Sequence, residues 1–312
     1  MAVQTNVIKG NLSASTSRGP SYSIWADMPI AAIQQDPSLG MYVFDDFLIA
    51  GGWLSTNTAG GSMGAWASYG STGSLQTDGA LEGGVLSLGS DGDQESATIA
   101  SLAGAFRITT TSTLALNQRL AFEARVAVGT IATTKMDMFV GLADKLTSSN
   151  IMVNTIPIST TDDALSTVPN LIGFHKKSGA STEINFVYQL AGGTAVYPTG
   201  LTTLMNSITG ALLVAQSGQT GFVKLGFLFD PNAAPVLITS ASTGQTAGVL
   251  ARPLIRVFVN GLPAAAFLTS VNVQGAAFPT GFMGPVFSVM QTATGANQGL
   301  IDWIRVCQEA NS

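Results

Sequence analysis

Histidine and cysteine occur once each in the 312 residues, as His175 and Cys307. One cysteine excludes an internal disulfide, and a small buried apolar residue at the end of a strand is the role expected of it. One histidine excludes a metal site built on two imidazoles. It also leaves any Ser-His-Asp arrangement dependent on a single strand residue. Charge is scarce: Asp, Glu, Lys and Arg make up 10% of the chain, against about 25% in an ordinary soluble protein. The 13 basic residues are scattered, with Lys176-Lys177 the one adjacent pair, and the net charge is −5. A nucleic-acid surface needs clustered cations to replace counterions, so that class is excluded. No apolar run reaches the roughly 18 residues of a membrane-spanning helix. The first residues lack a basic stretch followed by an apolar block, so no secretory signal is expected and synthesis in a reducing cytoplasm is.

What fills the chain instead is small and uncharged: 35 glycines with abundant Ala, Ser and Thr. A surface so weakly charged is poorly defended against association, which suits a protein packed against partners. Residues 1–40 read as an extended N-terminal arm, because the Ser/Gly/Thr-rich stretch 10–23 cannot bury enough apolar surface to fold alone. Val7, Ile8, Tyr22, Ile24 and Trp25 are spaced along it as anchors for a partner. Two placements are open, across a neighbour or back over the arm's own domain. On the first, removing residues 1–35 would leave the rest folded. Asp27 is positioned to cap a short helix through Gln35, with Pro29 in its first turn and Pro37 beyond its end.

From residue 41 to 312 the pattern is strand and turn. Met41–Phe47 is aromatic and extended around Asp45-Asp46. Residues 51–73 are Gly- and Ser-rich and read as turns; they lack the Lys-Ser/Thr of a phosphate loop. Further strands are expected at 83–89, 96–108, 119–128, 136–142, 171–175, 183–190, 222–230, 254–259 and 287–290. In 119–128, Phe122, Ala124, Val126 and Val128 face inward and Glu123 and Arg125 outward, by the two-residue period of a strand. Asn260-Gly261 after an alternating strand signals a hairpin whose two turn residues both take positive φ. The closing strand, Gly299–Val306, has Leu300, Ile304 and Val306 on one face and Ile301 and Trp303 on the other. Apolar groups on both faces place it at the centre of a sheet covered on both sides. With no useful helical periodicity after residue 40, one all-β sandwich or barrel is expected.

The order of Phe44-Asp45-Asp46-Phe47, the strand Lys224–Asp230, the strand ending at Asn260-Gly261 and the closing Asp302-Trp303-Ile304-Arg305-Val306 resembles the concanavalin A-like jelly roll of laminin-G-type and laminarinase-type proteins. The resemblance implies two stacked antiparallel sheets with the terminal strands side by side, residues 42–48 against 300–306. Arg305 would then bridge Asp45 or Asp46. Laminarinase-type enzymes carry their acid and nucleophile in a Glu-x-Asp-x-x-Glu run on one strand. Glu123-Ala124-Arg125 and Lys135-Met136-Asp137 both lack it, so no enzymatic activity and no catalytic residue is expected. Layout, low charge and arm also resemble the capsid decoration (cement) proteins of tailed bacteriophages.

That resemblance implies a non-enzymatic virion protein made in the host cytoplasm. It would bind the outer surface of a capsid through the major capsid protein and through its own copies, as a trimer, without nucleic acid, membrane or cofactor. The alternative is a glycan-binding tail or fibre module that stacks sugars on Trp53, Trp66 and Tyr69. A carbohydrase acting through Glu123 is a third reading. Asp91, Asp93 and Glu95, and Asp162 with Asp163, offer oxygen ligands for Ca²⁺, but their spacing is that of ordinary turns and no metal is expected.

Overall fold

The computed structural model describes residues 18–47, 61–63, 66–70, 74–77, 84–90, 96–101, 104–108, 118–128, 136–144, 165, 169–177, 184–202, 204, 222–238, 249–291 and 297–310. Two short helices, α1 (Tyr22–Trp25) and α2 (Ile30–Gln35), precede the strands. Asp27 does not cap α2: the helix begins after Pro29, and no side chain caps it. The strands are β1 (Gly40–Asp45), β2 (Gly61–Met63), β3 (Trp66–Gly70), β4 (Ser74–Thr77), β5 (Leu86–Ser90), β6 (Ser96–Ser101), β7 (Leu120–Val128), β8 (Met136–Asp144), β9 (Leu171–Lys176), β10 (Ile184–Gln189), β11 (Val223–Phe229), β12 (Val236–Ile238), β13 (Val249–Ala251), β14 (Ile255–Val259), β15 (Leu262–Leu268), β16 (Met283–Gln291) and β17 (Asn297–Glu309), with a one-turn helix α3 (Ser270–Val273) before β16.

The strands form two antiparallel sheets. The first runs β15-β14-β11-β7-β17-β5-β4, with β1 beside β17; the second runs β10-β9-β8-β16-β6-β3-β2. This is the expected all-β, antiparallel two-sheet jelly-roll sandwich. The terminal strands do zip together: Met41 pairs with Gln308 and Asp45 with Ile304. The register differs from the expectation because β17 is long. Its first half, Asn297 to Ile301, pairs with β5, and its second half takes β1. Both turn residues of the β14–β15 hairpin have positive φ, Asn260 at 52° and Gly261 at 77°. Strands β2 to β4 lie in or just beyond the Gly/Ser-rich stretch that the sequence assigns to turns.

A bulge corrects the facing of β17. Ile301 pairs with Val126 and Trp303 with Arg125, which leaves Asp302 as one extra residue. Such an insertion shifts the alternation by one. Ile301 therefore joins Ile304 and Val306 in the core between the sheets, and Asp302 and Trp303 both turn outward. The core is knit by aromatic rings. Phe122 stacks on Phe227 at 5.2 Å, Phe227 meets Phe186 of the other sheet edge-on at 5.7 Å, and Phe186 meets Phe174 at 5.5 Å.

The segment from Arg18 to Gln35 lies as a strap over the outer face of the first sheet. Ile24, Trp25, Met28 and Ile33 are buried there against Ala121, Leu228, Phe258 and Cys307. Gly226 makes the fit: a Cβ at that position would come within 2.5 Å of the Ile24 side chain and 2.8 Å of the Phe122 carbonyl oxygen. Removing residues 1–35 would bare this apolar face, so the strap belongs to the folded body. Gly226→Ala should lower stability by about 1–3 kcal/mol. In limited proteolysis, cleavage within 18–35 should accelerate before cleavage elsewhere.

Candidate functional site

Charge on the outer face of the first sheet is concentrated under the strap. Alternation along β7 turns Glu123 and Arg125 outward; Lys224 pairs with Arg125 on β11, and the bulge adds Asp302. All four are buried. Arg18 grips Asp302 through Nε (3.1 and 3.0 Å to the two oxygens) and Nη2 (2.6 Å), and Arg125 Nη1 donates to the same carboxylate. The Ser21 amide and Trp25 Nε1 donate to Glu123 Oε2 at 2.9 and 2.7 Å. Lys224 Nζ donates to the Gly19 carbonyl at 3.1 Å, and Trp303 Nε1 to the Arg18 carbonyl at 2.7 Å. The sheet thus recognises the strap's backbone as much as its side chains.

Burial pushes the Glu123 carboxyl up against the opposing pull of Ser21, Trp25 and the Lys224 charge. It also pushes Arg125 and Lys224 down, against the raising effect of Asp302 on the first and of Glu123 on the second. Glycoside hydrolysis needs two carboxyl groups that reach the substrate. Glu123 and Asp302 are fully buried and occupied by the strap, so they hold the chain together and do not face a ligand.

The other sequence candidates separate. Trp66 is buried, with Nε1 donating to Asp45 Oδ2 at 2.6 Å and its ring 5.6 Å from that of Phe47; it cannot serve as a sugar platform. Trp53 and the Tyr69 side chain lie outside the described residues, as do Val7 and Ile8. Of the expected anchors, Tyr22 is 54% exposed, while Ile24 and Trp25 are buried on their own sandwich, the second of the two placements the sequence leaves open. The expected bridge from Arg305 to Asp45 is absent. Arg305 pairs with Phe44 across the strands, so Asp45 points to the opposite face, and the guanidinium lies 4.5 Å from the Trp25 ring. His175 is buried with Nδ1 2.7 Å from the Tyr197 hydroxyl. Cys307 is buried and its thiol is pushed up to about 12, chiefly by burial, which leaves it unreactive. The Asp91–Glu95 and Asp162-Asp163 turns lie outside the described residues. Among the described residues, no three His, Cys, Asp or Glu side chains gather as a metal site.

The site that sequence reasoning missed is a cleft of about 340 Å³ where the two sheets meet at one end. It is lined by Pro37, Gly40 and Met41 at the start of β1, Gln308, Glu309 and Ala310 at the end of β17, and Ala105, Arg107, Gln118 and Phe282. Phe106 pairs with Met283 as an antiparallel bridge, so Arg107 and Phe282 fall opposite one another, facing away from the core. The Arg107 guanidinium lies over the Phe282 ring at 4.7 Å. The Gln308 side chain clips the Arg107 backbone at both ends, accepting from its amide at 2.9 Å and donating to its carbonyl at 2.6 Å. Phe282 is placed by a knot behind it. Asn170 donates to Asp144 from its amide and side chain at 2.9 and 2.8 Å, and its own Oδ1 accepts from the Thr280 amide at 3.4 Å. Burial raises the Asp144 carboxyl, partly offset by those two donors. Glu309 is held by Arg119, whose Nε lies 3.0 Å from both oxygens.

No family model matches the chain, and no curated protein does. Solved structures align with the chain at low identity. Peanut lectin, in complex with a nine-residue peptide, aligns over 88% of this chain and 99% of its own at 10% identity and a TM-score of 0.44. A prokaryotic β-1,3-1,4-glucanase (lichenase) derived from a mouse hindgut metagenome aligns over 87% and 100% at 10% identity and 0.43. A carbohydrate esterase from a Shiga toxin-encoding bacteriophage aligns over 80% and 91% at 15% identity and 0.37. At this level the likeness is one of fold, and what those proteins bind or cleave does not transfer.

Because the Glu123 carboxyl is raised above its unfolded value, its contribution to stability is complete below the ordinary glutamate range. That contribution is lost as pH climbs through the raised value. Relative to Glu123→Gln, the wild type should therefore lose melting temperature as pH rises from that range and then level off. Parallel melting curves across pH check this; a constant difference would contradict it.

Proposed function

We propose that the chain is a non-catalytic glycan-binding module and that the cleft between the start of β1 and the end of β17 is its site. The observation that carries this is Phe282, 56% exposed beside a cleft whose apolar lining is interrupted by a few polar side chains. Sugars present an apolar C–H face that packs on an aromatic ring, and hydroxyls that bond to planar amides and charged groups. Phe282 supplies the ring, and Gln118 and Arg107 supply the polar groups. The volume sits at the small end of ordinary ligand sites, which suits a short saccharide. Glu309 is the one carboxylate among the lining residues and is already paired with Arg119. Among the described residues lining the cleft there is no second carboxyl group for bond cleavage, so the reading is binding without hydrolysis. On a glycan array the wild type should retain a defined set of saccharides. Phe282→Ala should weaken that binding by roughly tenfold or more, equivalent to about 1.4 kcal/mol, with an unchanged melting temperature. Retention of no saccharide, or equal retention by the variant, sinks the proposal.

A second reading, a decoration protein on the outside of a phage capsid, is favoured by a different feature. The ribbon β12–β13 stands apart from both sheets. Its cross-strand pair Leu237 and Leu250 is 63% and 69% exposed. Paired large apolar side chains in the open suit contact with the major capsid protein or with other copies in a trimer. On this reading the wild type sediments as an oligomer, and Leu237→Ser with Leu250→Ser shifts it toward monomer. A wild type that stays monomeric at high concentration and leaves purified shells bare excludes it.

A further inference from the structure

We infer that the ligand of the Phe282 cleft carries a carboxylate: an acidic saccharide built from uronic or sialic units. The inference rests on the glycan-binding reading and adds the chemical class. Its ground is a charge imbalance. Arg107 forms no ion pair with any carboxylate among the described residues, whereas Glu309, the acid of the cleft, is neutralised by Arg119. The cleft therefore keeps one positive charge in a chain whose net charge is −5.

That charge is held in a recognising posture. Gln308 fixes the Arg107 backbone at both its amide and its carbonyl. The guanidinium lies over the Phe282 ring. Resting 4.7 Å from the ring centroid, the guanidinium is restrained while a fork of N–H groups can still take a carboxylate by two parallel hydrogen bonds. An arginine needed only for solubility gains nothing from being clipped and stacked. A lysine would supply the same charge without the fork. A sugar ring leaning on the exposed remainder of Phe282 brings a ring carboxylate toward that edge, which a flat apolar ligand or a neutral sugar does not exploit. An acidic peptide shares the carboxylate but has no pyranose face for the phenyl ring, so the saccharide is favoured.

The test titrates the full chain by calorimetry with polygalacturonate, alginate, hyaluronate and polysialic acid, each against its carboxyl-reduced form, and with polyglutamate as the peptide control. At least one acidic polymer should bind roughly tenfold tighter than its reduced form, and the preference should shrink as salt is raised. Arg107→Gln should remove the preference while residual binding to the reduced form remains; Arg107→Lys should restore it in part; Phe282→Ala should weaken both forms. Equal affinity for acidic and reduced polymers, both lost in Phe282→Ala, overturns the inference and leaves the glycan reading standing. Polyglutamate bound as tightly as the acidic sugars overturns the inference in favour of plain anion binding. If no polymer binds in either form, the inference and the glycan reading fall together.

Discussion

The buried carboxylate of Asp302, gripped by Arg125 from the neighbouring strand and by Arg18 from the strap, fixes how the rest of the molecule is arranged. One extra residue at that point of β17 turns Asp302 and Trp303 outward together. Those two side chains give the strap its first anchor and its first backbone hydrogen bond. Leaving Asp302 buried without either guanidinium would be costly, since an uncompensated interior charge destabilises by about 3–5 kcal/mol. The strap in turn covers Glu123, Lys224 and the apolar outer face of β7 and β11. A face that in an uncovered sandwich would meet solvent or ligand is instead sealed by the chain itself, and the open site moves to the sandwich end.

Legibility in the sequence followed the range of the interaction that decides each feature. The inward set Phe122, Ala124 and Val126 and the Asn260-Gly261 turn are set by local alternation and turn chemistry and are readable, whereas the pairing of β1 with β17 is long-range and was expected only through the jelly-roll resemblance. The bulge was not. Nothing in Gly299–Val306 marks Asp302 as supernumerary; what selects it is Arg18, more than two hundred residues away. For the same reason Arg305 looked like a partner for Asp45, when the actual register sets it opposite Phe44. Strands β2 to β4 escaped because glycine and serine are poor strand formers alone, and their pairing to β5 and β6 is what holds them extended.

The candidate site was the least legible part. Arg107 and Phe282 meet only because Phe106 and Met283 form a single bridge, and Gln308 reaches Arg107 from the last strand. No residue type or spacing in any of the three segments advertises a cleft. Tryptophan attracted attention as the sugar-stacking residue, yet Trp66 spends its indole N–H on Asp45 and its ring on Phe47. The exposed aromatic at the cleft is a phenylalanine beside a glycine, backed by Asp144 and Asn170. The physical lesson concerns cost: an aromatic ring 56% exposed and supported by a hydrogen-bonded knot is a better pointer to recognition than aromatic abundance.

The division of one edge of β17 between β5 and β1 also bears on how the protein is made. Until β17 inserts, β7 on one side and β5 and β1 on the other have open backbone edges. Strands β1, β5 and β7 therefore wait, with little charge to keep copies apart, for a partner that lies far along the sequence at residues 297–309. Such long-range closure makes folding slow, and it sets the interval in which the chain most needs a chaperone.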